Sequence, residues 1–209
     1  MNNKRIRIVI LVAAITGMMA VGSIMAYFTD GESVSNTFTV GKIALELQEP
    51  NWNPDEAKNI TPMKNILKDP QVKNSGVNPE FVFLEITVPC KNVVTANADG
   101  SRKESQEMEL YKYEINEGWT QLGVPQKDEE EETVTHLYVY GTETACTELA
   151  KDAVTPTLFD SVTFVNVVEG QELETSANDI VVNAYGIQTT DINGGKTNPS
   201  DVWSVLKMQ

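Results

Sequence analysis

The chain has 209 residues, of which 41% are hydrophobic and 22% charged, and its formal net charge at pH 7 is −14. This apolar share is too high for a disordered chain, and the length suffices for one domain with a substantial core. Because a strongly negative surface repels phosphates, the charge argues against nucleic-acid binding.

The first residues have the pattern of an export signal. A basic stretch with Lys4, Arg5 and Arg7 precedes an uncharged, mostly apolar run over residues 8–28. A basic region, an apolar region and small residues before a polar break are typical of a secretory signal. We therefore expect the rest of the chain to work outside the cytoplasm.

The predicted cut lies between Ala26 and Tyr27. This prediction gives a signal peptide over residues 1–26 and a single mature domain over residues 27–209. The alternative is an uncleaved membrane anchor, since about 18 apolar residues can span a bilayer. Gly17 and Gly22 weaken a stable membrane helix and favour processing.

Alternating apolar residues predict about eight short strands in the mature chain. In the clearest run, over residues 81–88, the even positions are all aliphatic: Val82, Leu84, Ile86 and Val88. This pattern predicts a central strand, buried on the aliphatic face, that ends at Pro89. Other strands are expected at 37–47, 108–115, 119–122, 134–140, 161–168 and 180–188, with a hairpin turn at 98–101.

Helices are expected to be short and peripheral. Asn53 and Asn198 each precede a proline, which is the pattern of a helix cap followed by the first helical residue. Residues 144–153 form the best internal helix candidate because Leu149 and Ala153 recur at helical spacing. The predicted fold is an all-β sandwich, although strand spacing alone does not distinguish a jelly roll from an immunoglobulin-like order.

Three stretches of the chain resemble the TasA/camelysin family. The junction AYFTD is followed by NTFTVGKIALEL, which is similar to the mature start of that family. A turn with the strand after it resembles the family's central strand, and a late strand followed by Trp203 resembles its A-Y-[AG]-I-Q segment. The matching residues are 26–30, 36–47, 69–70, 72–76, 81–89, 182–188 and 203.

This resemblance implies a fold, a location and partners. Members are exported proteins of Gram-positive bacteria that a dedicated signal peptidase processes, and the implied fold is a jelly roll. Several members form filaments at the cell surface or in the biofilm matrix, and camelysin-type members are sometimes classed as metallopeptidases.

Cys90 and Cys146 are the only cysteines. An exported protein with an even pair allows a disulfide, which would stabilise the fold by up to ~4 kcal/mol through chain entropy. Two separately buried thiols are the alternative, and sequence leaves the choice open because it does not show whether the two residues come within reach.

The sequence contains no recognisable catalytic set, so we expect no enzyme, no cofactor and no metal site. His136 is the only histidine and lies within a predicted strand, where a structural role is expected. One histidine cannot supply the two imidazoles of a helical zinc-protease motif. The acidic run over residues 128–132 is interpreted as a solvated loop tip.

The predicted function is that of an exported surface or matrix subunit that self-assembles by strand addition. An N-terminal segment freed by cleavage can add to an exposed sheet edge of a neighbouring copy. The alternatives are that this segment forms the domain's own first strand, that the protein is a secreted metallopeptidase, or that it is an acidic module for divalent cations or surface polymers. The predicted inserting residues are Tyr27, Phe28, Val34, Phe38 and Val40.

Overall fold

The computed structural model describes residues 43–173, 178–190, 192 and 194–208. These residues belong to one compact unit that begins at Ile43. The described chain is mostly β-structure, which confirms the predicted all-β class. Its elements are β1 (Leu45–Gln48), β2 (Asn65–Leu67), β3 (Gln71–Asn74), β4 (Glu80–Val93), β5 (Gln106–Glu109), β6 (Tyr111–Lys112), β7 (Trp119–Asp128), β8 (Thr133–Tyr140), β9 (Ser161–Phe164), β10 (Val181–Gln188) and the helix α1 (Pro199–Leu206).

The strands form one main antiparallel sheet and two small ones. The main sheet has the order β10-β4-β8-β7, and β5 pairs with the far end of β4. One small sheet has the order β2-β9-β6, and the other pairs β1 with β3. The larger core joins side chains of all three sheets, so the small sheets cover one face of the main sheet in a sandwich-like arrangement.

β4 is the centre of the fold, and its two faces contribute to two different cores. The even-numbered aliphatic residues belong to the larger core, as the alternation predicts. Phe81 and Phe83 lie on the other face, where they pack with Ile187 and with Val202 of α1. A strand with both faces buried explains why this run is the most apolar of the chain.

The prediction that the strand ends at Pro89 is wrong, because β4 continues to Val93. The pairing with β8 ends at Pro89, while β5 begins to pair at Cys90. Pro89 therefore lies where β4 changes partners, and the N–H group that proline lacks is not needed at that junction.

One helix prediction is wrong. Residues 144–153 form no helix, because neighbouring segments use their backbone groups. Leu149 exchanges two backbone hydrogen bonds with Glu80, and Cys146 N–H donates to Thr197 C=O. At Asn53 the side chain caps a single turn that does not continue.

The helix start predicted at Asn198 is confirmed. The side chain of Asn198 accepts hydrogen bonds from the first backbone N–H groups of α1, and Pro199 is its first residue.

Candidate functional site

The strongest functional feature of the described fold is the outer edge of β10. This strand pairs with β4 on one side only, over all of its eight residues. No backbone hydrogen bond from the described residues reaches its other side. An edge strand with free N–H and C=O groups is a template for another strand.

Two hydrogen bonds determine which residues of β10 face outward. Pro89 C=O accepts from Leu110 N–H on the β5 side, and Cys90 N–H donates to Glu132 C=O on the β8 side. Even-numbered residues of β4 such as Cys90 thus direct their backbone groups toward β8. Odd-numbered residues direct theirs toward β10, because the direction of the N–H and C=O groups alternates along a strand. With Phe83 opposite Tyr185 in the register, the odd residues of β10 bond to β4. The outward backbone groups belong to Val182, Ala184, Gly186 and Gln188.

The same four positions carry small or neutral side chains, and one of them is covered by β1. A Cβ atom on Gly186 would lie 2.9 Å from Leu45 Cδ1 and 3.1 Å from Glu80 Oε2. Leu45 therefore sits directly on the glycine. Only glycine permits this close approach of β1 to the sheet.

Glu80 is a buried acid beneath this contact. Its side chain is 1% exposed, and neither carboxyl oxygen has a hydrogen-bond partner within the described structure. Burial raises the pKa of Glu80 from 4.5 to about 7, because the charged form loses hydration. No sequence pattern singled this residue out, since a single glutamate at the start of a strand is unremarkable.

The predicted processing and assembly residues lie outside the described part of the chain. These are Ala26, Tyr27, Phe28, Val34, Phe38 and Val40. Their predicted roles stay predictions. The described chain begins at Ile43, two residues before β1, and four residues of sequence (41–44) separate the predicted donor segment from β1.

Of the two alternatives for the cysteines, the structure has two free thiols. Cys90 lies beside the start of β8, whereas Cys146 pairs with Gly141 just beyond its end. Eight residues of strand separate these points by roughly 25 Å, which is far beyond the reach of a disulfide. Burial raises the pKa of both thiols, with nearby glutamates adding to the effect at Cys90.

His136 lies within β8, as predicted, and belongs to an aromatic cluster. Its Nε2 atom is 2.9 Å from Glu109 Oε2, and its ring stacks on Tyr138. Tyr113 completes the cluster, with its hydroxyl 3.0 Å from that of Tyr138. These contacts hold the partly buried imidazole between β5 and β8.

A zinc-peptidase centre does not fit the described residues. No three side chains of histidine, cysteine, aspartate or glutamate converge there as metal ligands would. The acidic run forms the β7–β8 hairpin turn, where Asp128 Oδ1 accepts the N–H groups of Glu130 and Glu131. Within the same described ranges, no helix is long and apolar enough to cross a membrane.

Comparison with known proteins gives one family. The family model described as camelysin metallo-endopeptidase matches residues 2–109, which is just over half of the chain. No curated protein and no solved structure matches. The matched range includes the signal-like start, β1 to β5 and the whole of the central strand. The chain therefore belongs to the camelysin metallo-endopeptidase family of exported proteins.

Proposed function

We propose that the protein is a structural subunit of the cell surface or biofilm matrix that assembles into filaments by strand addition. Residues 27–40 of one copy add to the outer edge of β10 in the next copy. The observation that carries this proposal is the open edge of β10. Its sequence VVNAYGIQ contains no charge and no proline, the two common means of blocking an edge.

The length of the N-terminal segment supports this occupant. β10 has eight residues and spans about 27 Å. Residues 27–42 comprise 16 residues, which reach up to roughly 55 Å when extended. The segment therefore covers the whole edge of a neighbour and leaves a linker back to its own β1.

The side-chain pattern of the segment also supports strand addition. Phe28, Val34, Phe38 and Val40 all occupy even positions, so an extended chain directs them to one face. Main-chain hydrogen bonds would supply affinity along β10, and these apolar side chains would set the register. Tyr27 lies on the opposite face of the same strand.

The test compares the chain 27–209 with a chain that begins at residue 41. We expect fibres by negative-stain electron microscopy from the first chain and monodisperse monomers from the second. A control chain 27–209 with Phe38→Asp and Val40→Asp retains the segment but not its apolar face, and it should also stay monomeric. Fibres from the shortened chain would defeat the proposal.

A second candidate function is peptidase activity, which the name of the matching family favours. The purified chain 27–209 is incubated with casein, with and without a metal chelator. We expect no cleavage above a buffer control, because the described residues offer no zinc-binding set. Chelator-sensitive cleavage that follows the protein through two orthogonal purification steps would instead establish the enzyme.

A further inference from the structure

A large cleft lies away from the outward-facing residues of β10. It has a volume of about 980 Å³ and opens between the β1–β2 loop and the chain that joins β9 to β10. Its floor is apolar and comes from the β2-β9-β6 sheet, through Ile66, Val162 and Phe164. A concave site of this size with a few polar groups around an apolar floor is typical of ligand sites.

The charges of the cleft disfavour an anionic ligand. Lys68 is the one basic residue among the described lining residues, and its ammonium group already pairs with Glu49 at 2.7 Å. The same ammonium group lies 4.8 Å from the ring centre of Trp52, which fixes the indole as a wall of the cleft. Asp179 and Glu169 add negative charge to the rim.

Tyr111 supplies the polar group that points to a ligand. Its side chain is part of the cleft wall and is 6% exposed, yet its hydroxyl makes no hydrogen bond to any described residue. Burial raises the pKa of Tyr111, and the negative charge of Asp179 adds to this effect. Tyr111 and Asp179 both line the cleft, and neither side chain has a hydrogen-bond partner among the described residues.

We propose that this cleft binds a neutral, hydroxyl-rich ligand, namely a short segment of an oligosaccharide. The face of Trp52 that Lys68 does not cover would give a flat apolar surface for the C–H face of a sugar ring. Tyr111 donates a hydrogen bond to one sugar oxygen, and Asp179 accepts hydrogen bonds from sugar hydroxyls, which are strong because the acceptor is charged. The resulting second activity of the subunit is attachment to a polysaccharide, and it does not depend on strand addition at β10.

The experiment uses the chain 27–209 with Phe38→Asp and Val40→Asp, so that assembly does not interfere. The unit from Ile43 onward contains its own core, which allows the processed form to fold. Cellotetraose, chitotetraose and maltotetraose are titrated at up to millimolar concentration while NMR follows the indole N–H signals. We expect at least one sugar to shift the Trp52 signal and leave that of Trp203 unchanged.

Conservative variants test the contacts. Tyr111→Phe removes only the hydroxyl and should weaken binding about three- to tenfold, and Asp179→Asn should weaken it by at least as much. The matched controls are Tyr185→Phe, whose hydroxyl bonds to Glu85 at 3.0 Å, and Asp152→Asn, which lies outside the cleft lining. Both controls should bind as the parent does.

Three results would overturn the proposal. The first is that none of the sugars shifts the Trp52 signal. The second is that the cleft variants bind as tightly as the controls. The third is that a synthetic peptide of residues 27–40 shifts Trp52 while the sugars do not, which would make the cleft a peptide site.

Discussion

The two edges of the main sheet are built in opposite ways. β7 forms one edge, and its register shifts between Leu122 and Gln126, around Gly123 and Pro125. Val124 within this bulge is 76% exposed, and Lys127 follows it. β10 forms the other edge and pairs with β4 without interruption through all eight residues.

Of these two edges, only that of β10 is open to an added strand. A bulge, a proline and a charge interrupt the flat row of donors and acceptors that an added strand needs, so β7 is protected. β10 has none of these devices. If residues 27–40 act as the proposed donor segment, a subunit with a single open edge would add the next copy head to tail, which would give a filament instead of a closed pair.

The largest difference between the two edges is expected from a proline placed in each strand. Val182→Pro removes an outward N–H group from β10. On β7, Gly141 N–H just after the end of β8 donates to Gly118 C=O, so the backbone groups of even-numbered β7 residues bond to β8 and those of odd-numbered residues face outward. Gln121→Pro therefore removes an outward N–H group from β7. We expect the first variant to lose fibres completely and the second to retain them. Electron microscopy measures this, with circular dichroism as the check that each variant is folded. A folded Val182→Pro chain that still forms fibres would show that β10 is not the acceptor.

The next largest effect concerns Glu80, the buried acid of β4 that lies opposite Gln188 of β10. The pKa of Glu80 is about 7 in the folded chain against an ordinary 4.5, so the folded state holds this proton more tightly. The contribution of Glu80 to stability is therefore greatest below pH 4.5, falls as the pH rises from 4.5 to 7, and then levels off.

Glu80→Gln keeps the shape and removes the charge. We expect the variant to be more stable than the parent by about 3 kcal/mol at pH 8 and to equal it near pH 4. Urea unfolding at the two pH values measures the difference. Equal gains at both pH values would mean that Glu80 does not titrate in this range.

A smaller effect is expected where β1 covers β10. Gly186→Ala places a Cβ atom 2.9 Å from Leu45 Cδ1, so Leu45 must shift, and we expect a loss of about 1–3 kcal/mol. In the double variant with Leu45→Ala the clash disappears, and the two losses should not add. Urea unfolding of the four chains completes the cycle. Additive losses would indicate that Leu45 does not rest on the glycine.

Features of the fold that depend only on residues close together in the chain could be predicted from the sequence. The alternation over 81–88 correctly assigns both faces of β4, because successive side chains in a strand point to opposite sides. Asn198 followed by Pro199 correctly gives the start of α1, because a cap and a fixed φ angle act within one turn. The junction and strand motifs correctly indicated the family.

Which segments pair through backbone hydrogen bonds depends on the tertiary structure. Residues 144–153 have helical spacing, but the pairing of Leu149 with Glu80 uses the backbone groups that a helix would need. β4 continues past Pro89 because β5 is there to pair with it. The separation of Cys90 from Cys146 follows from the length of β8 and not from their spacing in the chain.

The open edge and the buried acid also belong to the tertiary structure. The sequence of β10 predicts a strand, but its place at the end of the sheet follows from the order β10-β4-β8-β7. Burial in the folded chain raises the pKa of Glu80, and Gly186 lies beside its carboxylate. Periodicity reports which side of a strand is apolar, whereas exposure of an edge and burial of a charge depend on contacts between residues far apart in the chain.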